Sequence, residues 1–232
     1  GEELARIDCA GIPMAIAVQT SMATPALARF GSEELKQRYL APAIRGEVVC
    51  SIAVSEAGAG SDVAGIRTRA VRDGDDWVIN GQKIWTSFAA VADYCYLICR
   101  TSTDGPPHRG VSEIIVSMDT PGIEVRPIKD MTTNEHFCEV FFTDVRVPVA
   151  NRLGEEGRGF VYMMQELAQE RFIVAVSAAS KLERVLEQTI EYVKQRKAFG
   201  QTVWDFQNTK FKLADAKAQS VAVRTMVDHY LA

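Results

Sequence analysis

Four stretches of the chain hold residue types that could do chemistry. Ser55-Glu56-Ala57-Gly58-Ala59-Gly60-Ser61-Asp62 directly follows the apolar run Val48 to Val54. Its glycines permit a tight turn with exposed N–H groups, and Ser55 and Ser61 add hydroxyl donors, so the loop can hold a phosphate or the polar edge of a ring. An ordinary glycine-rich turn satisfies the same pattern. The loop is not GxGxxG, and no convincing helix follows with an acid about twenty residues on, which excludes a Rossmann dinucleotide loop. Trp85-Thr86-Ser87 ends the next strand-like run but one. An indole beside two hydroxyls can pack against a flat heterocycle and hydrogen-bond its edge, or it can be a core tryptophan with strand hydroxyls.

The third stretch is Gln165-Glu166-Leu167-Ala168-Gln169-Glu170-Arg171-Phe172. Met163, Leu167, Glu170 and Val174 recur at helical spacing, which puts Glu170 on the apolar stripe of its helix and Glu166 elsewhere on the surface. A carboxylate on a buried face loses hydration and gains basicity, as suits a general base. A buried ion pair with an arginine from another element fits the same placement. The fourth is Arg196-Lys197-Ala198-Phe199-Gly200-Gln201, with Gln207 shortly after. Cations favour a helix C-terminus and Gly200 can stop the helix, yet the planar fork of Arg196 also matches a diphosphate.

The elements that must position these residues fall into three blocks. Residues 2 to 30 carry Ala, Met and Leu at helical spacing, and Ser32 can cap a second helix through Leu35, Tyr39 and Leu40 toward Gly46. From Val48 the texture changes to short β-branched runs: Val48 to Val54, Trp77 to Ile79, Tyr94 to Cys99, Ile114 to Val116, Ile123 to Val125 and Val140 to Phe142. Gly74-Asp75 and Asn80-Gly81 read as hairpin-type turns around the second run, and the strand spacing predicts an antiparallel barrel or sandwich. After the turn-rich stretch Pro148 to Gly159 the pattern is helical again: Phe160 to Ala178, Leu182 to Lys197 and Gln207 to Leu231. Helical and β blocks segregated in this way predict an α+β fold, not a doubly wound α/β one. The predicted divisions are 1–47 (end of a helical domain), 48–152 (middle β domain) and 153–232 (first part of a helical bundle, truncated).

Composition narrows the function classes. The chain has 232 residues, 47% hydrophobic and 24% charged, which is ordinary for a globular protein. A net charge of −4 offers no basic field for nucleic acid or anionic lipid. Cys9, Cys50, Cys95, Cys99 and Cys138 form no CxxC and are spaced too widely for a disulfide scaffold, which points to a reducing compartment. His108, His136 and His229 have no partner at metal-ligand spacing, so no metal is expected. No apolar run reaches the ~20 residues of a membrane span, and Gly1-Glu2-Glu3 lacks the features of a signal peptide. The expectation is a soluble intracellular chain, and its opening directly on a helical pattern suggests a fragment.

Taken together, Phe30 to Leu40, Ser55 to Asp62, Asn80-Gly81-Gln82-Lys83-Ile84-Trp85-Thr86-Ser87, Gly154 to Gly159 and Arg196 to Gly200 resemble, in order and spacing, the acyl-CoA dehydrogenase family of flavoproteins. The resemblance covers essentially the whole chain. It implies an N-terminal helical domain, a middle β domain and a C-terminal bundle, with FAD between the latter two. Ile52 to Ser61, including Val54 and Gly60, would line the flavin through backbone groups, with Ser55 near its pyrimidine edge and Ser61 toward phosphate or acyl-CoA. Trp85, Thr86 and Ser87 would contact the flavin near N5. Arg196, Phe199 and Gln207 would bind the FAD of a neighbouring subunit, implying a homodimer or homotetramer.

In long-chain and isovaleryl-type members the catalytic base occupies the position of Glu170; in others it is a later Glu that would lie beyond Ala232. Arg171 matches an arginine near CoA, whereas Ala168 replaces an acid found there in some members. The implied reaction is α,β-dehydrogenation of an acyl-CoA, with electron-transfer flavoprotein as acceptor, in the cytoplasm or, for a eukaryotic parent, the mitochondrial matrix. A flavin monooxygenase or oxidase on the same scaffold, and a non-catalytic relative, are the alternatives.

Overall fold

In the computed structural model every residue except Ala10 and Ala232 is described, and the chain divides into two compact units, Ile16–Gln169 and Gly1–Ala15 with Glu170–Ala232. The first unit begins within α2 (Gly11–Ala17), which follows α1 (Glu2–Ala5) in the chain, and continues through short helical turns, α3 (Pro25–Phe30), α4 (Glu33–Leu35) and α5 (Ala41–Ile44), joined by π-helical runs over Val18–Ala23 and Lys36–Leu40. Ser32 caps α4 as its sequence predicts, its hydroxyl accepting from the Leu35 amide at 3.2 Å. Gln19 ties these helices to the sheet. Its amide donates to the carbonyls of Ala43 and Val48, and its oxygen accepts from the Cys50 amide at 2.9 Å.

Among the described residues the sheet has seven strands: β1 (Cys50–Ala53), β2 (Arg69–Asp73), β3 (Asp76–Lys83), β4 (Tyr94–Arg100), β5 (Val111–Ser117), β6 (Ile123–Ile128) and β7 (Phe137–Pro148). They run in the order β1-β4-β2-β3-β7-β6, with β5 also on β4. Most ladders are antiparallel, and β1 and β2 pair with β4 in parallel. The α+β class holds, with a curled sheet at the centre of this unit. Both faces of β4 are covered. Cys95, Leu97 and Cys99 join one apolar cluster with Trp77, Ile114 and Val140, while Tyr94, Tyr96 and Ile98 join another with Leu27, Tyr39 and Ile115. A strand buried on both sides loses the apolar-polar alternation, and β4 accordingly reads as a nearly continuous apolar run, while β5 is equally buried with Ser112 and Glu113 inside it.

The Gly74-Asp75 turn is present between β2 and β3. Asn80-Gly81 is not a turn: it lies inside β3, where the register to β7 shifts between Ile79 and Gly81. Gly81 has φ 151°, and a Cβ there would lie 2.6 Å from the Thr68 Cα. The glycine is needed for close approach of two backbones within a bulge. Gly81→Ala is therefore expected to cost about 3 kcal/mol, at the upper end of ordinary single substitutions, read as a lower urea midpoint with an unchanged slope.

The second unit holds α1 (Glu2–Ala5), the later part of α6 (Gly159–Gln195), a two-residue hairpin β8 (Lys197–Ala198) and β9 (Gln201–Thr202), and α7 (Gln207–Leu231). The two helices expected over 160–178 and 182–197 are one, because nothing between Ala178 and Leu182 breaks a helix. α6 ends at Gln195, so Gly200 does not stop it. Phe199 and Gly200, at φ 53° and 78°, instead form the hairpin turn. Arg224 knits this unit together, donating to Glu183 at 2.9 and 3.0 Å, to Ser180 at 3.0 Å and to Glu2. Val176, Ala179 and Val227 form its small core. Among the described residues no helix is long and apolar enough to cross a membrane, and no group of His, Cys, Asp and Glu could hold a metal.

Candidate functional site

β1 delivers the chain into the loop Ser55–Asp62, and β3 delivers it to Trp85. The fold joins these two stretches: the Ile84 amide, one residue before Trp85, donates to the Ser55 carbonyl at 2.9 Å. Glu56 and Ala59 bond reciprocally through their backbones at 3.0 and 3.1 Å, folding Ala57-Gly58 into the loop's tip. Among the described residues a Cβ at Gly58 or Gly60 would meet nothing within 4 Å, so these glycines serve no packing need of their own unit. They leave an open backbone face of the kind that admits a ligand closely.

A buried ion pair, absent from the sequence reading, roots the loop. Lys83 is wholly buried, and its ammonium donates to the Glu56 carboxylate at 2.9 Å and to the Val54 carbonyl at 2.8 Å. Glu56 also accepts from the amides of Arg67 and Thr68, at 2.7 and 2.9 Å. Burial works against the Glu56 carboxylate, but Lys83 and the two amides outweigh it and hold its pKa below the ordinary value. For Lys83 the balance is reversed: burial outweighs the partner and lowers the ammonium pKa. The signal in the sequence was a lysine inside β3 and an acid in the loop that follows β1, two strands that the sheet separates by β4 and β2.

Beyond Lys83 the backbone leaves regular geometry. Trp85 has φ 60° and Phe88 φ 62°, left-handed values that cost a non-glycine residue about 1–3 kcal/mol. Pairing with the start of β7 holds them there: Thr86 and Cys138 exchange backbone bonds at 3.0 and 3.2 Å, and the Phe88 amide donates to the His136 carbonyl at 2.8 Å. The result is a tryptophan turned outward, 57% exposed, with the Phe137 ring edge-on at 6.2 Å. The core reading of Trp85 is thereby excluded. Thr86 is buried and, among the described residues, its hydroxyl has no hydrogen-bond partner, while Ser87 is half-buried. An open amide-rich loop, an exposed indole and an orphaned hydroxyl, linked by one backbone bond, fit a flat heterocycle with a polar edge and a phosphate tail. Ile52, Val54 and Ser55 are half-buried beside them, and Gly60 and Ser61 are exposed.

The remaining predicted site residues lie in the other unit. Glu170 is half-buried and has a polar interaction of its own; Arg171, Arg196 and Gln207 are exposed, and Phe199 stands at the hairpin tip almost fully exposed. Phe199 packs edge-on against Phe206 at 6.4 Å, and Lys194 lies over the Trp204 ring at 5.1 Å. The stripe predicted for α6 needs correction. Val174 is exposed, whereas Glu166 is buried and ion-paired with Arg29 at 3.2 Å. Burial keeps the Glu166 pKa above the ordinary value in spite of Arg29. Tyr162 and Glu166 set the buried face, which is rotated by one residue from the stripe counted from Met163. Glu170, four residues after Glu166, shares that face.

Comparison with known proteins gives consistent matches along the chain. The acyl-CoA dehydrogenase N-terminal, middle and C-terminal domain families match residues 1–47, 51–145 and 157–232. A long-chain specific acyl-CoA dehydrogenase of Sus scrofa mitochondria is 37% identical over 99% of this chain and 54% of its own length. The crystal structure of an acyl-CoA dehydrogenase from Geobacillus kaustophilus superposes with a TM-score of 0.94 at 40% identity, covering 99% of this chain and 61% of that one. Butyryl-CoA dehydrogenase from Megasphaera elsdenii gives 0.91 at 33% identity, over 98% and 60%. The chain thus spans about half the length of the curated relatives it matches. On these grounds the chain belongs to the acyl-CoA dehydrogenase family.

Proposed function

We propose that the protein carrying this chain is an FAD-dependent acyl-CoA dehydrogenase, which forms an α,β-double bond in an acyl-CoA thioester. The observation that carries the reading is the backbone bond between Ile84 and Ser55, which sets an outward-facing Trp85 beside an open, amide-rich loop. The flavin, when bound, would accept the substrate's β-hydrogen as hydride at N5. The chain's residues do the rest. Backbone groups of Ile52, Val54 and Gly60, with the Ser55 hydroxyl, hold the ring edge, and Ser61 turns toward phosphate or acyl-CoA. Trp85 supplies a flat wall, and Thr86 and Ser87 supply hydroxyls.

Glu170 takes the α-proton. A thioester α-proton is only weakly acidic, so the base must act while the developing charge is stabilised by hydrogen bonds. Arg171 lies toward CoA. Arg196, Gln207 and the exposed Phe199 meet the FAD of a second subunit, in a homodimer or homotetramer. Electron-transfer flavoprotein is the acceptor. The divisions 1–47, 48–152 and 153–232 are the domains of this reading. All five cysteines are free and four are buried, which suits the reducing cytoplasm or mitochondrial matrix. The names of the relatives favour dehydrogenation over the oxidase and monooxygenase alternatives.

The visible spectrum tests the proposal. The expected result is a flavin absorption that bleaches when acyl-CoA is added without oxygen. A protein that binds no FAD would overturn the reading, and a flavin untouched by a panel of acyl-CoAs would turn it toward monooxygenation.

A further inference from the structure

β5 carries a carboxyl group that the proposed reaction does not use. Glu113 is wholly buried, facing the apolar cluster of Tyr96, Ile98, Val111 and Ile115. Its carbonyl accepts from the Leu153 amide at 2.8 Å, and the first residue of α6 is set directly on it: a Cβ at Gly159 would lie 3.0 Å from the Glu113 Cγ and 2.9 Å from the Ser112 Cα. The groups around it are few. Tyr96 and Cys99 come from β4, and Glu166 comes from two turns along α6, where Arg29 of α3 already pairs with it at 3.2 Å. Of these two buried carboxyls, only Glu166 has a guanidinium. Among the described residues no cation pairs with Glu113, and no amide of α6 donates to either of its oxygens. A carboxylate so placed would be a buried charge without a counter-ion, which proteins avoid by keeping the proton.

We propose that Glu113 is a positioning residue, held as the neutral carboxylic acid beneath the first turn of α6, and that its ionisation releases that turn from the sheet. Burial is the main cause that pushes its pKa up, to about 8, with the Tyr96 hydroxyl opposing and the Glu166 carboxylate reinforcing the shift. Because the folded-state value lies above the unfolded one, the stabilising contribution is complete below the ordinary carboxylate pKa. It is lost as pH rises from there through about 8. The helix concerned carries Glu166 and, four residues on, Glu170. The inference does not depend on the proposed reaction, since its test needs neither flavin nor substrate.

The competing account is an ionised Glu113 that caps the positive end of α6. The two differ in sign. For the neutral acid, Glu113→Gln should match the wild type near pH 5 and unfold several degrees higher at pH 9. Amide protection over residues 159–163 should fall with rising pH in the wild type and stay flat in the variant. A variant that is instead less stable at pH 9 than at pH 5, relative to wild type, would establish the ionised cap. An equal loss at every pH would leave Glu113 a mere packing group. Either result overturns the proposal. Should the variant fail to fold, infrared spectra of the wild-type full chain decide: a buried carboxylic-acid carbonyl band at pH 6 that disappears by pH 9 is expected, and its absence at pH 6 refutes the idea.

Discussion

Glu170→Gln should bind FAD with an unaltered visible spectrum and lose substrate-dependent bleaching by roughly 10²–10⁴-fold, the range set by a positioned general base. The amide is the same size as the carboxyl but cannot take the α-proton, so the loss falls on the chemical step and not on folding. The control is Glu166→Gln. Glu166 precedes Glu170 by four residues on the same helix face and is the other acid a base could be sought in. It is already engaged by Arg29, with its side chain almost completely covered. Its amide variant should keep bleaching near the wild-type rate while unfolding slightly earlier. Stopped-flow absorbance under anaerobic conditions separates the two. Near-normal bleaching by Glu170→Gln would move the base elsewhere, including to a residue beyond Ala232.

The block order was legible because its signals are local. Ser32 caps a helix with its own hydroxyl, Gly74-Asp75 closes a hairpin between adjacent strands, and the pattern over Gln207 to Leu231 matches α7 residue for residue. What escaped depends on partners distant in sequence. β2 was missed because Arg69–Asp73 is mostly exposed and charged, and a strand whose outer face is solvated carries little apolar signal. Asn80-Gly81 has the composition of a two-residue turn, yet the glycine is there for the approach of Thr68, which no local pattern reveals. Glu166 looked like a surface acid because the arginine that pays for its burial lies on α3. At the site, the sequence marked the loop and Trp85 as separate features. The Ile84 to Ser55 bond and the left-handed backbone at Trp85 that join them are properties of the sheet.

The same distance in sequence hid Lys83, whose removal should have the largest effect on folding. Lys83→Met keeps the stem of the side chain in its apolar surroundings and deletes the ammonium. The Val54 carbonyl then loses its donor, and Glu56 keeps only the two amides of Arg67 and Thr68. Breaking one side of a buried pair costs about 3–5 kcal/mol, and the remaining amides place the expected value near the lower end. The damage is directional, because both ends of the loop Ser55–Ser61 hang on this contact: Val54 precedes it, and Glu56 reaches across to Arg67 and Thr68 beyond it. Flavin retention should therefore fall along with the urea midpoint. Adding Glu56→Gln removes the orphaned charge and should recover part of the stability, a coupling that a double-mutant cycle measures directly.

Acid provides a second check with a definite sign. A carboxylate whose folded pKa is depressed contributes stability above its unfolded value and loses it as pH falls through the folded one, so wild type should lose this contribution on going from pH 7 toward pH 3. In Lys83→Met that acid-side loss should shrink. Equal pH dependence in both proteins, with full flavin retention, would mean that the pair only fills space and that the loop is held by its backbone bonds alone.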